Sequence, residues 1–433
     1  MLGSVPLTPK VLEDYRPVIG DERVEEIQQL AAPLAGARVL HVNATSFGGG
    51  VAEILTTLVP LMVDIGLQAD WQVIHGTDEF YQITKAMHNS LQGMFFDWTP
   101  DKRDIWLHQN EANAALFDER YDFVVIHDPQ PAGLRTCVRE RDAKLADGEW
   151  VWRCHIDLTD AQVEIWDILK PYINQYDGAI FTAAEYIKDD LQGPQRFVVP
   201  PAIDPLSAKN AELDKETSRE ILRRYGVDQR RPFITQISRF DPWKDPLGVI
   251  EVYRIVKQQF PDLQLLLIAS MAHDDPEGWA WYEKTVRRAG EDFDIHILSN
   301  LNGVGNLEVN AFQRTAQIVI QKSVREGFGL VVSEGLWKKR PVVAGRVGGI
   351  PLQLIDGVTG YLVSTTDECA GRVIELMRDP ALADRMGEAG REFVREHFLI
   401  TRYLRDYLRI FRTLSGIDSP AELASGDKEA RAK

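Results

Sequence analysis

IVIQKSVREGFGLVVSEGLWKKRPVVAGRVGGIP, residues 318 to 351, is the stretch on which the reading of this chain turns. Ile318, Val319 and Ile320 have the composition of a short buried strand. Glu326, Gly327, Phe328 and Gly329 make a turn after it, and an apolar helical segment is predicted from about Leu330, with Glu334 on its first turns. Amides at such a helix start, here those of Leu330 and Val331, lack intrahelical partners, and the helix dipole adds partial positive charge. A phosphate can therefore be held there by backbone alone.

Glu326 and Glu334 are eight residues apart; on one helix they would differ by about 80° in azimuth and roughly 12 Å along the axis. Two carboxylates so placed can grip both ends of one ligand. A nucleoside diphosphate sugar suits them, one carboxylate on a sugar hydroxyl pair, the other on the ribose, and the diphosphate at the amides between. A glycine turn with two solvated glutamates gives the same pattern, so the pair does not decide alone.

Outward from this stretch, 433 residues exceed what one core usually holds, and two domains are the default. The net charge of −16 opposes nonspecific binding to nucleic acid or anionic membrane, so an anionic ligand must be met by local donors. No apolar run is long enough to span a bilayer, and the first residues, MLGSVPLTPKVLEDYRP, lack a basic region followed by an apolar one; a cytoplasmic location is expected. Cys137, Cys154 and Cys369 are too widely spaced to suggest a disulfide framework or a CxxC metal site.

Residues 1 to 35 read as a peripheral helical extension, with Val24, Ile27 and Leu30 on one face. ARVLHVNAT (37 to 45) reads as a buried strand, followed by Gly48, Gly49 and Gly50 and a helical apolar pattern through Ile54, Leu55, Leu58, Leu61 and Met62. The GxGxxG spacing of a dinucleotide fingerprint is missing; three glycines still let a ligand approach the backbone, and a tight turn without ligand is equally readable. Strands are predicted at 71 to 76, 121 to 129, 149 to 158 and 178 to 183, alternating with helical patterns. This is the rhythm of a parallel sheet wrapped by helices, whose ligands bind beyond the strand C-termini. His127 with Asp128, and His155 with Asp157, fall at such ends.

The turn-rich FVVPPAIDPLSAKN (197 to 210) marks the domain boundary. A second alternating series follows, with strands predicted at 231 to 240, 263 to 270, 294 to 300, 316 to 321, 341 to 345 and 360 to 363, and Asp245-Pro246 as an N-cap and first helical position. The expected organisation is an α/β chain of two Rossmann-like, doubly wound domains facing across a cleft: 1–205, and 206–395 for the nucleotide sugar. A helix over 396–415 should pack back on the first domain, with a frayed tail at 416–433. Arg239 and Lys244, in SRFDPWKDP, follow the first strand of the second half. A guanidinium fork and a compact ammonium suit the two phosphates of a diphosphate, and local pairing to Asp241 or Asp245 is the alternative.

SRFDPWK, EGFGLVVSE and GGIP (348 to 351) together resemble the retaining GT-B glycosyltransferases, a group that includes glycogen synthases and sucrose synthase. Within it, HVNATSFGGGVAEIL (41 to 55), TKAMHNSLQG (84 to 93), WRCHIDL (152 to 158), PPAIDPLSAKN and VIQKSVREGFGL are similar to trehalose glycosyltransferring synthases and to trehalose phosphorylases. The resemblance covers about residues 37 to 400. It implies Arg239 and Lys244 on the donor diphosphate, with Gly49, Gly50, Leu330 and Val331; Glu326, Gly327, Phe328, Gly329 and His155 on the donor glucose; and Glu334 on the ribose. Asp128, His88 and Gly48 are assigned to the acceptor from position rather than motif.

The implied activity is reversible, retaining transfer of glucose from a nucleoside diphosphate glucose to free glucose, giving α,α-trehalose. Glu326, His155, Arg239 and Lys244 are the implied catalytic residues. No tightly bound cofactor and no protein-ligated metal are expected, Mg2+ being at most stimulatory, and a homodimer is compatible with the resemblance. Alternatives are a phosphate-dependent trehalose phosphorylase, in which a ribose contact has no purpose, a nucleotide-sugar epimerase on the same scaffold, and a non-catalytic sugar-nucleotide sensor.

Overall fold

The computed structural model describes residues 2–47, 49–271 and 276–418, so Gly48 and the tail from residue 419 lie outside the described residues. It divides into two compact units, one comprising the chain up to Pro201 and again from Ile400, the other Ala202–Leu399.

In the first unit the strands are β1 (Gly3–Ser4), β2 (Arg38–Asn43), β3 (Gln68–Val73), β4 (Phe123–His127), β5 (Glu149–Arg153), β6 (Gly178–Phe181) and β7 (Gln195–Val198). Their order across the sheet is β1-β3-β2-β4-β5-β6-β7. β4 (FVVIH) is buried at every position, as a parallel strand covered on both faces must be. The N-terminal segment corrects the expectation of an all-helical extension. Gly3 and Ser4 pair antiparallel with Val73 and Gln72, adding an edge strand too short to leave any periodicity in the sequence. Beyond it, the helix Asp21–Ala31 buries Val24 and Ile27 as the spacing predicts.

The stretch expected as one helix over 396–415 is parted at Phe398–Leu399 between the end of a first helix, Pro380–His397, and a second, Ile400–Leu414. The second helix belongs to the first unit. It buries Tyr403, Leu404, Tyr407, Leu408 and Phe411, and Phe411 stacks on Phe123 at 4.3 Å. Residues 416–418 are not frayed, since Asp418 pairs with Arg412 at 2.6 Å.

The second unit has β8 (Phe233–Ile237), β9 (Gln264–Ala269), β10 (Ile295–Ser299), β11 (Ile318–Gln321), β12 (Val342–Gly345) and β13 (Gly360–Val363), all parallel, in the order β10-β9-β8-β11-β12-β13. One face of this sheet closes a core with Val249, Ile250, Val252, Tyr253 and Val256 from the helix Pro246–Lys257 and Val373 from the helix Thr366–Arg378. Among the described residues no helix is long and apolar enough to cross a membrane.

Candidate active site

Topology locates the site in the second unit before any side chain is considered. β8 and β11 lie side by side, but the chain leaves β8 toward β9 on one side and β11 toward β12 on the other. Connections that diverge leave a crevice at the strand C-termini, the usual ligand position in such sheets. The loop after β8 carries Arg239 and Lys244; the loop after β11 carries Glu326.

The two loops are stitched together. Val324 N–H donates to the Trp243 carbonyl at 2.8 Å, and the Arg325 guanidinium lies 5.2 Å above the Trp243 ring. Gln236, buried on β8, donates from Nε2 to the Lys244 carbonyl at 2.9 Å and accepts from Lys322 N–H at 3.2 Å. Lys322 Nζ in turn binds Asp245, whose other oxygen caps the helix start by accepting from Gly248 N–H at 3.0 Å. Asp245 is therefore the predicted N-cap, and it sits in left-handed backbone at φ 47°.

Inside this frame Lys244 Nζ reaches Glu326 Oε2 at 2.6 Å, with side-chain exposures of 14% and 11%. Ser323 Oγ and Gln321 Nε2 donate to the same oxygen at 3.2 and 3.3 Å. Three donors on one oxygen fix the carboxylate's rotamer. Arg239 is different: 63% of its side chain is exposed, and its nearest carboxylate is Asp241 at 3.6 Å. The local pairing weighed for this loop thus holds for Arg239, whereas Lys244 pairs across to the other loop. Burial raises the Asp241 carboxyl above its usual range, against the pull of Lys244 and Arg239.

Glu326 precedes the helix rather than lying on it. Gly329 is the N-cap at φ 82°, a conformation that a side chain strains, and the helix runs Leu330–Trp337. Val332 N–H bonds Gly329 O at 3.0 Å and Ser333 N–H bonds Gln353 Oε1 at 3.1 Å; the Leu330 and Val331 amides have no partner among the described residues. Phe328 is buried, and Gln353 Nε2 donates to its carbonyl at 2.6 Å. The GGIP segment now has a reason. A Cβ on Gly349 would lie 2.6 Å from Gly327 O and 2.9 Å from Phe328 Cα, so only glycine lets that segment back the EGFG turn.

Glu334 departs from the sequence expectation of an open carboxylate. It is fully buried, with Lys209 Nζ 2.9 Å from Oε1 and Gln313 Nε2 2.9 Å from Oε2. Lys338 Nζ bonds the Glu334 carbonyl, Gln313 Oε1 and Asn210 Oδ1 at 3.3, 2.7 and 2.7 Å. Burial alone would raise this carboxyl, but Lys209 and Lys338 hold it below its ordinary range. Lys209 and Asn210 come from the boundary segment PPAIDPLSAKN, quoted above for its resemblance but not for any site role.

In the first unit His155 stands two residues beyond β5, half-buried. Its Nε2 is 3.0 Å from His127 Nδ1, and His127 Nε2 is 3.0 Å from His41 Nδ1. Adjacent strands explain the alignment. His41 on β2 pairs with Val125 on β4, and two residues on, His127 pairs with Arg153 on β5; alternation keeps these side chains on one face. Burial, with nearby Arg153, depresses His155 and His127 well below the ordinary histidine range, and burial takes His41 down to about 3.

Asp128, assigned above to the acceptor from position, lies one residue beyond β4. It occupies left-handed backbone at φ 65°, and its Oδ1 accepts from His155 N–H at 2.8 Å. Its carboxyl is pushed up to about 6 by burial. What it visibly does is pin the backbone of His155. His88 is half-buried on the last turn of the helix Asp78–Leu91. Gly49 and Gly50 open the helix Gly49–Asp64, Gly49 at φ 81°, and Gly48 lies outside the described residues. Sequence reasoning missed Lys209, Gln236, Gln313, Lys322 and His41; buried polar residues inside apolar strands, as at 41 and 236, were the available signal. Among the described residues no cluster of three or more His, Cys, Asp or Glu is placed to hold a metal ion.

Known proteins agree with this architecture. Residues 41–188 match the family described as "Trehalose synthase, N-terminal domain" and residues 217–393 "Glycosyl transferases group 1". The sucrose-phosphate synthase of Thermosynechococcus elongatus superposes with a TM-score of 0.69 at 16% identity, covering 88% of this chain and all of that one, a likeness of fold. Two doubly wound units, with a carboxylate and a lysine paired at the switch point of the second, define a GT-B glycosyltransferase. Trehalose synthase of Rubrobacter xylanophilus is 52% identical over 421 residues, 96% of this chain and 100% of the relative; that of Thermococcus litoralis is 48% identical over 406, 93% and 97%. The chain belongs to the trehalose synthase family. A trehalose phosphorylase of Pleurotus pulmonarius is more distant, 28% identical over 88% of this chain and 58% of its own length.

Proposed function

We propose that this chain is a retaining glucosyltransferase that moves glucose reversibly from a nucleoside diphosphate glucose to free glucose, forming α,α-trehalose. The observation that carries the reading is likeness at 52% identity along the whole of a trehalose synthase. The exposed Arg239, Lys244 and the amides of Leu330 and Val331 meet the diphosphate, with Gly49 and Gly50 assigned to the same group. Glu326, held by Lys244, Ser323 and Gln321, binds the donor glucose together with the turn Gly327–Gly329 and His155. Ribose recognition at Glu334 requires Lys209 to release Oε1, so we assign the ribose to that pair jointly.

In the reaction the bond from glucose C1 to the diphosphate oxygen breaks while the acceptor hydroxyl forms the new C1–O bond on the same face. The departing phosphate oxygen takes the hydroxyl proton. Arg239, Lys244 and the helix amides stabilise the leaving charge as it develops. The test is incubation with ADP-, UDP- and GDP-glucose, with and without glucose. Trehalose and nucleoside diphosphate in equal amounts, dependent on glucose, are expected with at least one donor. Cleavage of trehalose by inorganic phosphate without nucleotide would make the chain a phosphorylase, and epimerised donor without acceptor would make it an epimerase.

A further inference from the structure

The histidine chain behind His155 has no role in the function proposed so far. Two nitrogen-to-nitrogen contacts of 3.0 Å, His41 Nδ1 to His127 Nε2 and His127 Nδ1 to His155 Nε2, each need one proton between them. A neutral imidazole has one N–H. Only two neutral arrangements satisfy both contacts, and in each the three rings share one tautomer. Either all three carry the proton on Nδ1, with donation running from His41 toward His155, or all three carry it on Nε2, with donation running inward.

The inner end distinguishes them. His41 is fully buried, and its Nε2 has no hydrogen-bond partner among the described residues. The Tyr407 ring packs against His41, centroids 5.8 Å apart. The inward arrangement would put an N–H on that nitrogen with nothing to receive it. Buried N–H groups without an acceptor are rarer in proteins than acceptors left with a spare lone pair. Full protonation of the chain is disfavoured as well, because burial opposes a cation on any of the three rings and the Arg153 charge adds to this at His127 and His155.

We propose that His41 and His127 are positioning residues that lock His155 in the Nδ1-protonated tautomer, so that it meets the transferred sugar only as a hydrogen-bond donor. The last clause rests on the assignment of His155 to the donor glucose made above. With Nε2 filled by His127 and Nδ1 carrying the proton, His155 has no lone pair to offer an acceptor hydroxyl. It cannot be the base, which agrees with proton transfer to the departing phosphate oxygen. Asp128 completes the arrangement by holding the His155 backbone through a bond of 2.8 Å.

The test is the imidazole nitrogen spectrum of the full chain labelled with 15N-histidine at pH 8, assigned with His41→Gln, His127→Phe and His155→Ala variants. The expected result is the Nδ1–H pattern for His41, His127 and His155. An Nε2–H pattern for His155 overturns the proposal. His127→Phe keeps a ring and removes both nitrogens. It should release His155 to the Nε2–H form usual in water and lower kcat at least tenfold, with under threefold change in KM for the nucleotide sugar. An unchanged His155 tautomer in that variant refutes the lock, and an unchanged kcat there while His155→Ala is impaired refutes its bearing on the sugar; should the variant not fold, the wild-type spectrum decides by itself. Normal turnover in His155→Ala alongside the Nδ1–H pattern would instead remove His155 from the sugar and leave the tautomer lock standing.

Discussion

Replacing Lys209 with methionine should cost more stability than replacing Glu334 with glutamine, although both break the same ion pair. Glu334 has no exposed surface, and its carboxylate is held by Lys209 and Gln313, each at 2.9 Å. Removing the ammonium strands a buried charge, which typically costs about 3 to 5 kcal/mol. The amide of Gln313 and the neighbouring charge of Lys338 remain, so the lower end, about 3 kcal/mol, is expected. Glu334→Gln takes the carboxylate from Lys209 instead. Lys209 keeps 15% of its side chain exposed, so its ammonium can regain water, and the loss should be about 1.5 kcal/mol, that of one charge-assisted hydrogen bond. The double variant should be more stable than the sum of the two losses predicts, by about 1 kcal/mol or more. Because the carboxyl is held below its ordinary 4.5, the pair's stabilisation is complete above that pH and is lost as pH falls through the folded-state value. Urea unfolding at pH 7.5 is therefore the assay. Equal losses for the two single variants, or a loss under about 1 kcal/mol for Lys209→Met, would refute this account of the burial.

Glu326→Gln and His155→Ala should each lower turnover more than tenfold, about 1.4 kcal/mol or more in barrier, with a smaller change in nucleoside diphosphate affinity by calorimetry. Arg239→Ala should weaken donor binding by about 1.5 to 3 kcal/mol at unchanged melting temperature, because that side chain is largely exposed. Lys244→Ala should weaken it and also lower the melting temperature, since it removes the cation paired with the nearly buried Glu326; matched melting curves for the two variants would count against the described pairing. His41 has a folded-state pKa of about 3 against an ordinary 6.5, so the stability it contributes is present above pH 6.5 and lost as pH falls toward 3. At pH 5 this amounts to about 2 kcal/mol. Asp128, raised to about 6, acts in the opposite sense, so the comparison must be between wild type and His41→Gln, whose stability should fall less between pH 7.5 and 5.

Much of the fold was legible in the chain itself, because buried parallel strands carry unbroken apolar runs such as FVVIH and LQLLLIA and each is bounded by turn residues. The alternation of these runs with helical patterns dictates two doubly wound units, and the Asp245 cap and the EGFG turn follow from local chemistry alone. β1 escaped because a two-residue ladder is specified by its partner strand and not by its own residues. The helix Ile400–Leu414 shows its apolar stripe in sequence, yet which sheet it covers is decided by contacts with residues some three hundred positions away, such as Phe123.

At the site, residue types were legible and partnerships were not. Glu326 and Lys244 stand out as charges beside glycine and strand ends, but their pairing at 2.6 Å exists only because β8 and β11 are neighbours in the sheet. Spacing gave Glu334 the look of an open ligand, since a carboxylate on a short helix is equally compatible with solvent or with burial. Tertiary packing brought Lys209 from the segment between the units' sheets to meet it, and that cation is what permits the charge to be buried. The same holds for His41. Its place in an apolar strand announces burial, but only the register of β2, β4 and β5 lines three histidines nitrogen to nitrogen, and hydrogen-bond chemistry depends on that geometry rather than on composition.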